Sequence, residues 1–336
     1  MKAKAQKNVV VIGGGTGTFV VLRGLKNYPF NLSAIVSMSD SGGSNRRIRD
    51  EFGLLPTSDI RQCLVALSDE NGGVGLLRKL FMYRFEKGKG IAGMTFGNLF
   101  MAALTDIVGS QEEAIRQTGK VLRIKGAVVP VTLTETNLYA TYEDGTIVKE
   151  EHLIDEPVHD GRLRIVKANL EPAARPNPEA INAIKHADMV IIGPGDLYTS
   201  LLPNLLVSHI ADALRETRGT IVYVLNLMTK FGQTYNFKAS DHLRVLEDTI
   251  GKSIQYVIVN SQPLPTHALA IYAKYHERPV VNDLSKRSYY RVIEAPLINR
   301  MLYKKSSSDA LIRSLIRHNS DRLAAVLAAI IGRENS

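Results

Sequence analysis

The residues whose types and spacing best suit chemistry are Gly13, Gly14, Gly15, Thr16, Gly17 and Thr18. They directly follow Val9-Val10-Val11-Ile12, a short β-branched apolar run of the kind that forms a strand buried on both faces. From Phe19 the pattern turns helical, with Phe19, Leu22 and Leu25 at helical spacing. Strand, glycine turn and helix aim backbone N–H groups and the positive end of a helix dipole at an anion. Glycine leaves no side chain to hold a phosphate off the backbone. The implied chemistry is phosphate or nucleotide binding. The alternative is a glycine turn that only lets the helix pack closely on the strand. A dinucleotide fingerprint would need glycine where Thr18 stands and an acid closing the second strand, where Ser37-Met38-Ser39 stands and Asp40 comes late. A P-loop would need Gly-Lys-Ser/Thr, which this stretch lacks.

Two further small-residue turns follow apolar runs. Ser39-Asp40-Ser41-Gly42-Gly43-Ser44 comes after Leu32–Ser37 and precedes Arg46, Arg47 and Arg49. Gly193-Pro194-Gly195-Asp196-Leu197-Tyr198-Thr199-Ser200 comes after Ala187–Ile192. Ligands in open α/β sheets bind outside the carboxyl ends of the strands, so loops 13–18, 40–44 and 193–199 should line one crevice. The arginines read equally as ligands for an anion or as a solvated helix face. No second acid stands beside Asp40 and no His–acid pair forms a base, so no catalytic residue is assigned. Asp40 alone is a candidate metal ligand, and the 8 histidines show no metal-ligand spacing. Cys63, the single cysteine, lies in the apolar helical pattern Ile60, Cys63, Leu64, Leu67 and reads as a buried thiol.

The elements that must position these residues read as an α/β protein with a mostly parallel sheet. Residues 128–170 differ: apolar and polar side chains alternate around the hairpin signal Asp144-Gly145. They are expected to form a small antiparallel insertion outside the central sheet, ending at Pro172, Pro176 and Pro178. Beyond it, strands are expected at 220–225, 254–259, 280–281 and 290–294. One continuous helix should run from the third turn to about Arg215, another from an N-cap at Ser240 through Leu246, and a last one from about Ser320 to Ile331. The 336 residues suffice for a large core, and the formal net charge of +9 suits an anionic ligand or weak attraction to nucleic acid or anionic lipid. No specific nucleic-acid motif occurs. No apolar run is long enough to span a membrane, and the basic start MKAKAQKN is not followed by a signal-peptide core. These features point to the cytoplasm.

The stretches VVVIGGGTGTFVVLRGL, VSMSDSGGSNRRIRDEFGLLPTSDIRQCLVAL, FGNLFMAAL, IIGPGDLYTSLLPNLLV and NLMTKFGQTYNFKASDHLRVL occur in this order. Together they resemble the CofD-like superfamily and, within it, the YvcK branch of gluconeogenesis factors. The resemblance implies one Rossmann-like α/β/α domain over residues 1–336, carrying the insertion. It implies a cytoplasmic protein that binds a UDP-sugar and regulates cell shape and wall synthesis on gluconeogenic carbon, with no required cofactor. The alternative it carries is a phosphodiester-donor transferase like the related 2-phospho-L-lactate transferase, which uses magnesium (Mg2+). A homo-oligomer stays open. By motif, the phosphate loop is Gly13 to Thr18, and Asp40-Ser41-Gly42-Gly43 is the acidic turn near metal and phosphate. Asp59 and Arg61 match a DIR element and Asn98 a GN element. Gly193, Gly195, Tyr198 and Thr199 match the second glycine turn. Asn226, Thr229, Asp241 and His242 match an NxMT…SDH element, and Arg317-His318 an RH pair. The chain departs from the pattern at Met94 (histidine in the family), at Arg46 (glycine), across Lys230–Asn236 (QPGETDG) and at Asn319 (aspartate). The departures spare the glycine loops and leave the sugar specificity open.

Overall fold

β-Branched runs and glycine turns of this sequence build ten strands in the computed structural model, which describes residues 6–70, 72–285, 289–299 and 315–333. Most of the basic start of the chain lies outside the described residues. The strands are β1 (Lys7–Gly13), β2 (Phe30–Val36), β3 (Ala127–Pro130), β4 (Asn137–Tyr142), β5 (Ile147–Lys149), β6 (Ile165–Glu171), β7 (Met189–Ile192), β8 (Thr220–Val224), β9 (Tyr256–Asn260) and β10 (Arg291–Ala295). Seven of them form one sheet in the order β10-β9-β8-β7-β1-β2-β3, with every pairing parallel. The order reverses at β1, which has β2 on one side and β7 on the other. That reversal opens a crevice at the carboxyl edge.

Side chains alternate across this sheet and divide the core in two. Val10, Ile12, Ile35, Val190, Ile192 and Tyr223 pack on one face against Leu201, Leu214 and Leu246. Val9, Val11, Ala34, Val36, Ile191 and Val222 pack on the other against Leu22, Leu25, Leu64 and Leu327. The result is the expected three-layer α/β/α arrangement. The helix Ser320–Arg333 lies on the helix Gly15–Leu25, where a Cβ on Gly24 would collide with the Ser320 carbonyl.

The antiparallel sheet β5-β4-β6 is present as expected, but its span is Asn137–Glu171. Residues 127–130 instead add β3 to the edge of the main sheet, paired parallel from Ser33↔Ala127 to Val36↔Pro130. Val128-Val129-Pro130-Val131 is a continuous apolar run, the signature of a parallel strand, and its proline sits at the end of an edge strand where no N–H is needed. A five-residue helix, Glu151–Asp155, also interrupts the insertion.

Three other expectations change. The helix after the third turn is broken: a π-turn at Leu197–Leu201 leads to Leu202–Leu205, and Ile210–Glu216 follows separately. Pro203 has no N–H to return to the preceding turn, and that turn widens. Ser240 lies inside the helix Ala239–Ile250, its hydroxyl donating to Asp283 Oδ2 at 2.7 Å, while Asp241 Oδ2 caps the start by accepting from Lys238 N at 2.9 Å. Residues 280–281 form no strand, only an isolated bridge between Val281 and Lys238.

Candidate functional site

The carboxyl end of β1 delivers the chain directly into the crevice. Gly14 is the N-cap of the helix Gly15–Leu25, and Gly15 has φ +61°, a left-handed conformation that glycine adopts without strain. A Cβ on Gly14 would collide with the Asp59 carboxylate, and one on Gly17 with the Pro194 carbonyl. The loop is therefore wedged between the helix Ser58–Leu67 and the third turn, and close approach dictates its glycines. The third turn is held in turn by Asn226, whose Nδ2 donates to Gly195 O at 2.8 Å and whose Oδ1 accepts from Gly195 N at 3.3 Å.

Gly14, Gly15, Thr16, Gly17, Asp40, Gly42, Gly43, Gly195, Thr199, Asn226, Thr229 and Arg317 line one cavity of about 420 Å³. That volume lies within the range of small-molecule sites. The three turns thus meet as their placement after apolar runs predicted.

The other named residues stand behind the wall. Thr18 donates to Gly14 O at 3.3 Å, and Gly13 and Gly193 shape the strand exits. Ser41 Oγ accepts from His152 N at 3.0 Å. Asn98, fully buried, accepts from Arg61 Nε at 2.9 Å and donates to Ser58 Oγ at 3.0 Å, locking two helix starts together. Tyr198 OH donates to Ile165 O at 3.3 Å. Asp241 caps its helix and accepts from Arg244 Nη2 at 2.9 Å. His242 is buried beside Tyr223 OH at 3.3 Å, and burial holds its imidazole down at about 4.

The structure adds residues that local patterns did not single out. Glu151, His152 and Asp155 reach the cavity from the short helix of the insertion, and Lys230 and Glu277 join them beside Asp196 of the third turn. Lys230 Nζ lies 3.5 Å from Asp155 Oδ1 and 3.9 Å from Glu277 Oε1. Gln233 Nε2 donates to Asp155 Oδ1 at 3.0 Å. Lys230 and Gln233 fall in the segment that departs from the family pattern, the one sequence signal that could have found this group.

The lining is mixed in charge rather than uniformly basic. Asp40, Asp59, Glu151, Asp155, Asp196 and Glu277 face the cavity together with Arg47, Arg61, Arg84, Lys230 and Arg317. Burial raises the Glu151 carboxyl well above the usual range, reinforced by Asp40, Asp155 and Asp59. Burial likewise pushes Asp196 up to about 6 and Glu277 up to about 7, with Lys230 pulling both back. Asp40 turns its oxygens into its own turn, Oδ1 accepting from Gly42 N at 2.9 Å and Oδ2 from Asn45 Nδ2 at 2.5 Å. Among the described residues no three His, Cys, Asp or Glu side chains are grouped to hold a metal ion. Nor, among them, is any helix long and apolar enough to cross a membrane.

The family described as 2-phospho-L-lactate transferase CofD matches residues 9–298. The gluconeogenesis factor of Bacillus subtilis is 37% identical over 96% of this chain and 98% of its own length. That of Halalkalibacterium halodurans is 42% identical over 84% of this chain and 86% of its own. A crystal structure of a Bacillus halodurans protein superposes with a TM-score of 0.87 at 36% identity, covering 97% of this chain and 100% of that one.

Proposed function

The chain belongs to the CofD family, is similar to gluconeogenesis factors, and on that premise we propose that its crevice binds a nucleoside diphosphate sugar, a UDP-sugar, as a regulatory ligand. One observation carries the reading: three glycine-bearing turns and the N-terminus of the helix Gly15–Leu25 meet at the point where the strand order reverses. The diphosphate takes the N–H groups of the Gly14–Gly17 loop, whose dipole favours an anion. Thr16 supplies a hydroxyl there, and Arg47 and Arg317 supply positive charge to the same cavity. These groups hold a ground-state diphosphate, and binding that is equal in ground and transition states gives affinity without rate. The role we propose is therefore regulation in the cytoplasm, supporting cell shape and wall synthesis during growth on gluconeogenic carbon.

Calorimetry tests the ligand. The wild type should bind UDP-N-acetylglucosamine and not free N-acetylglucosamine. Gly15→Val places a branched side chain at φ +61° and into the anion cradle. Losing two charge-assisted N–H contacts, each worth about 1.5–3 kcal/mol, should weaken binding by roughly a hundredfold or more. Unchanged affinity in a folded Gly15→Val protein would contradict the assignment.

A transferase reading has one observation in its favour: Asp59 lies against Gly14, bringing a second acid to the loop that Asp40 approaches from β2. Among the described residues no three His, Cys, Asp or Glu side chains are grouped to hold a metal ion, so magnesium would have to take most of its ligands from the diphosphate and water. Protein-dependent release of UMP or UDP from UDP-N-acetylglucosamine, abolished by Asp59→Asn, would favour turnover over binding.

A further inference from the structure

One wall of the crevice is built for something other than a phosphate. Lys230 stands between Asp155 at 3.5 Å and Glu277 at 3.9 Å, and Asp196 lines the same cavity. Three carboxyl groups against one ammonium repel an anion. The group is also pre-ordered: Gln233, 1% exposed, donates to Asp155 Oδ1 at 3.0 Å and to Thr199 Oγ1 at 3.2 Å.

A second observation points to a ligand. His318 lines this cavity, is 6% exposed, and its Nε2 finds no hydrogen-bond partner among the described residues. A buried, unpaired imidazole nitrogen costs free energy unless something arrives to meet it. Tyr272 touches both neighbourhoods: its hydroxyl accepts from Leu315 N at 2.8 Å and Ile316 N at 3.3 Å, just before His318 in the chain, and Glu277 and Asp196 both act on it electrostatically.

Resting on the nucleotide-sugar reading, we propose that this wall is the sugar subsite: the carboxylates of Asp155 and Glu277, fixed by Lys230, accept hydrogen bonds from sugar hydroxyls, and His318 Nε2 completes the set. A hydroxyl-bearing, uncharged group is the chemistry that satisfies it. An apolar group would strand the charges, and a phosphate would be repelled by them. Burial brings Glu277 to about 7, so near neutral pH its carboxyl divides between accepting from a hydroxyl and donating to one, while Asp196, at about 6, stays mainly an acceptor. Sites that hydrogen-bond hydroxyls reject analogues that misplace them.

The experiment is calorimetry of UDP, UDP-glucose and its 4-epimer UDP-galactose against wild type, Asp155→Asn, Lys230→Met and His318→Asn. Wild type should bind one UDP-sugar at least about tenfold tighter than UDP, the ~1.4 kcal/mol of one decade, and should separate the two epimers. Asp155→Asn, which keeps the side-chain shape, should bring the UDP-sugar to UDP ratio toward one while changing UDP affinity by no more than about threefold, about 0.6 kcal/mol. Lys230→Met and His318→Asn should do the same. A wild type that binds UDP and both sugars alike overturns the subsite and leaves the nucleotide reading standing. So do variants that lose UDP and UDP-sugar in equal proportion. No binding of UDP or of either sugar nucleotide overturns both.

Discussion

Glu277 ties the stability of the folded chain to pH. Its carboxyl sits at about 7, raised from 4.5 by burial, with Lys230 opposing. An acid whose value is raised on folding stabilises fully below its unfolded value, and that contribution is lost as pH rises through the folded value. Its share is therefore complete below 4.5 and gone once the pH passes well above 7. The buried His242 and His318, lowered from 6.5 to about 4, act the other way, losing stabilisation as pH falls through that window. The comparison with Glu277→Gln isolates the acid: between pH 5 and 8 the variant's thermal midpoint should fall less than that of the wild type. Identical slopes would detach Glu277 from the pH response. The residues of the glycine loop were legible because close backbone approach leaves a mark at each position, as Gly14 against Asp59 and Gly17 against Pro194 show. Glu277 and Asp155 leave no such mark. Each is an ordinary surface-type acid until a chain segment distant in sequence brings Lys230 to it.

Among elements, the insertion works as a strap across the crevice. Its short helix meets the β2 turn, where Glu151 Oε2 accepts from Ser41 N at 3.4 Å, and meets the β8 turn through Asp155 and Lys230. Its sheet is bolted to the same segment: Tyr142 OH donates to Gly232 O at 2.9 Å, and Gly232 N donates to Gly161 O at 2.9 Å. Tyr142→Phe should cost about 1–2 kcal/mol in denaturant unfolding, because it strands a buried carbonyl. It should also raise amide exchange at Gly232–Thr234. Unaltered exchange there would show that the strap does not hold the Lys230 segment. The sheet itself was readable from alternation and Asp144-Gly145. Its start was not, since Val128-Val129-Pro130-Val131 suits a buried edge strand as well as an insertion. Glu151–Asp155 is too short for any period to register.

At the scale of the whole molecule, the last helix supports the first. Leu327, fully buried, belongs to the core face that backs the helix Gly15–Leu25. Leu327→Ala should destabilise by about 2–5 kcal/mol, the cost of a core cavity. Nucleotide affinity measured well below the unfolding transition should not change. A matched loss of affinity would mean that the glycine loop depends on that packing for its geometry.

The seam between β1 and β7 has a consequence for how the chain comes to be folded. β1 finds β2 at once, but its other partner is far downstream: Asn8 N donates to Asp188 Oδ2 at 2.8 Å across 180 residues. At ~5–20 residues per second, a ribosome needs on the order of ten seconds or more to deliver β7. Until then the nascent first half carries an open, apolar strand edge, the kind of surface that chaperones cover and aggregates exploit. Because the crevice lies on that seam, no ligand can help the early chain fold. It can only reward a chain whose second half has already docked.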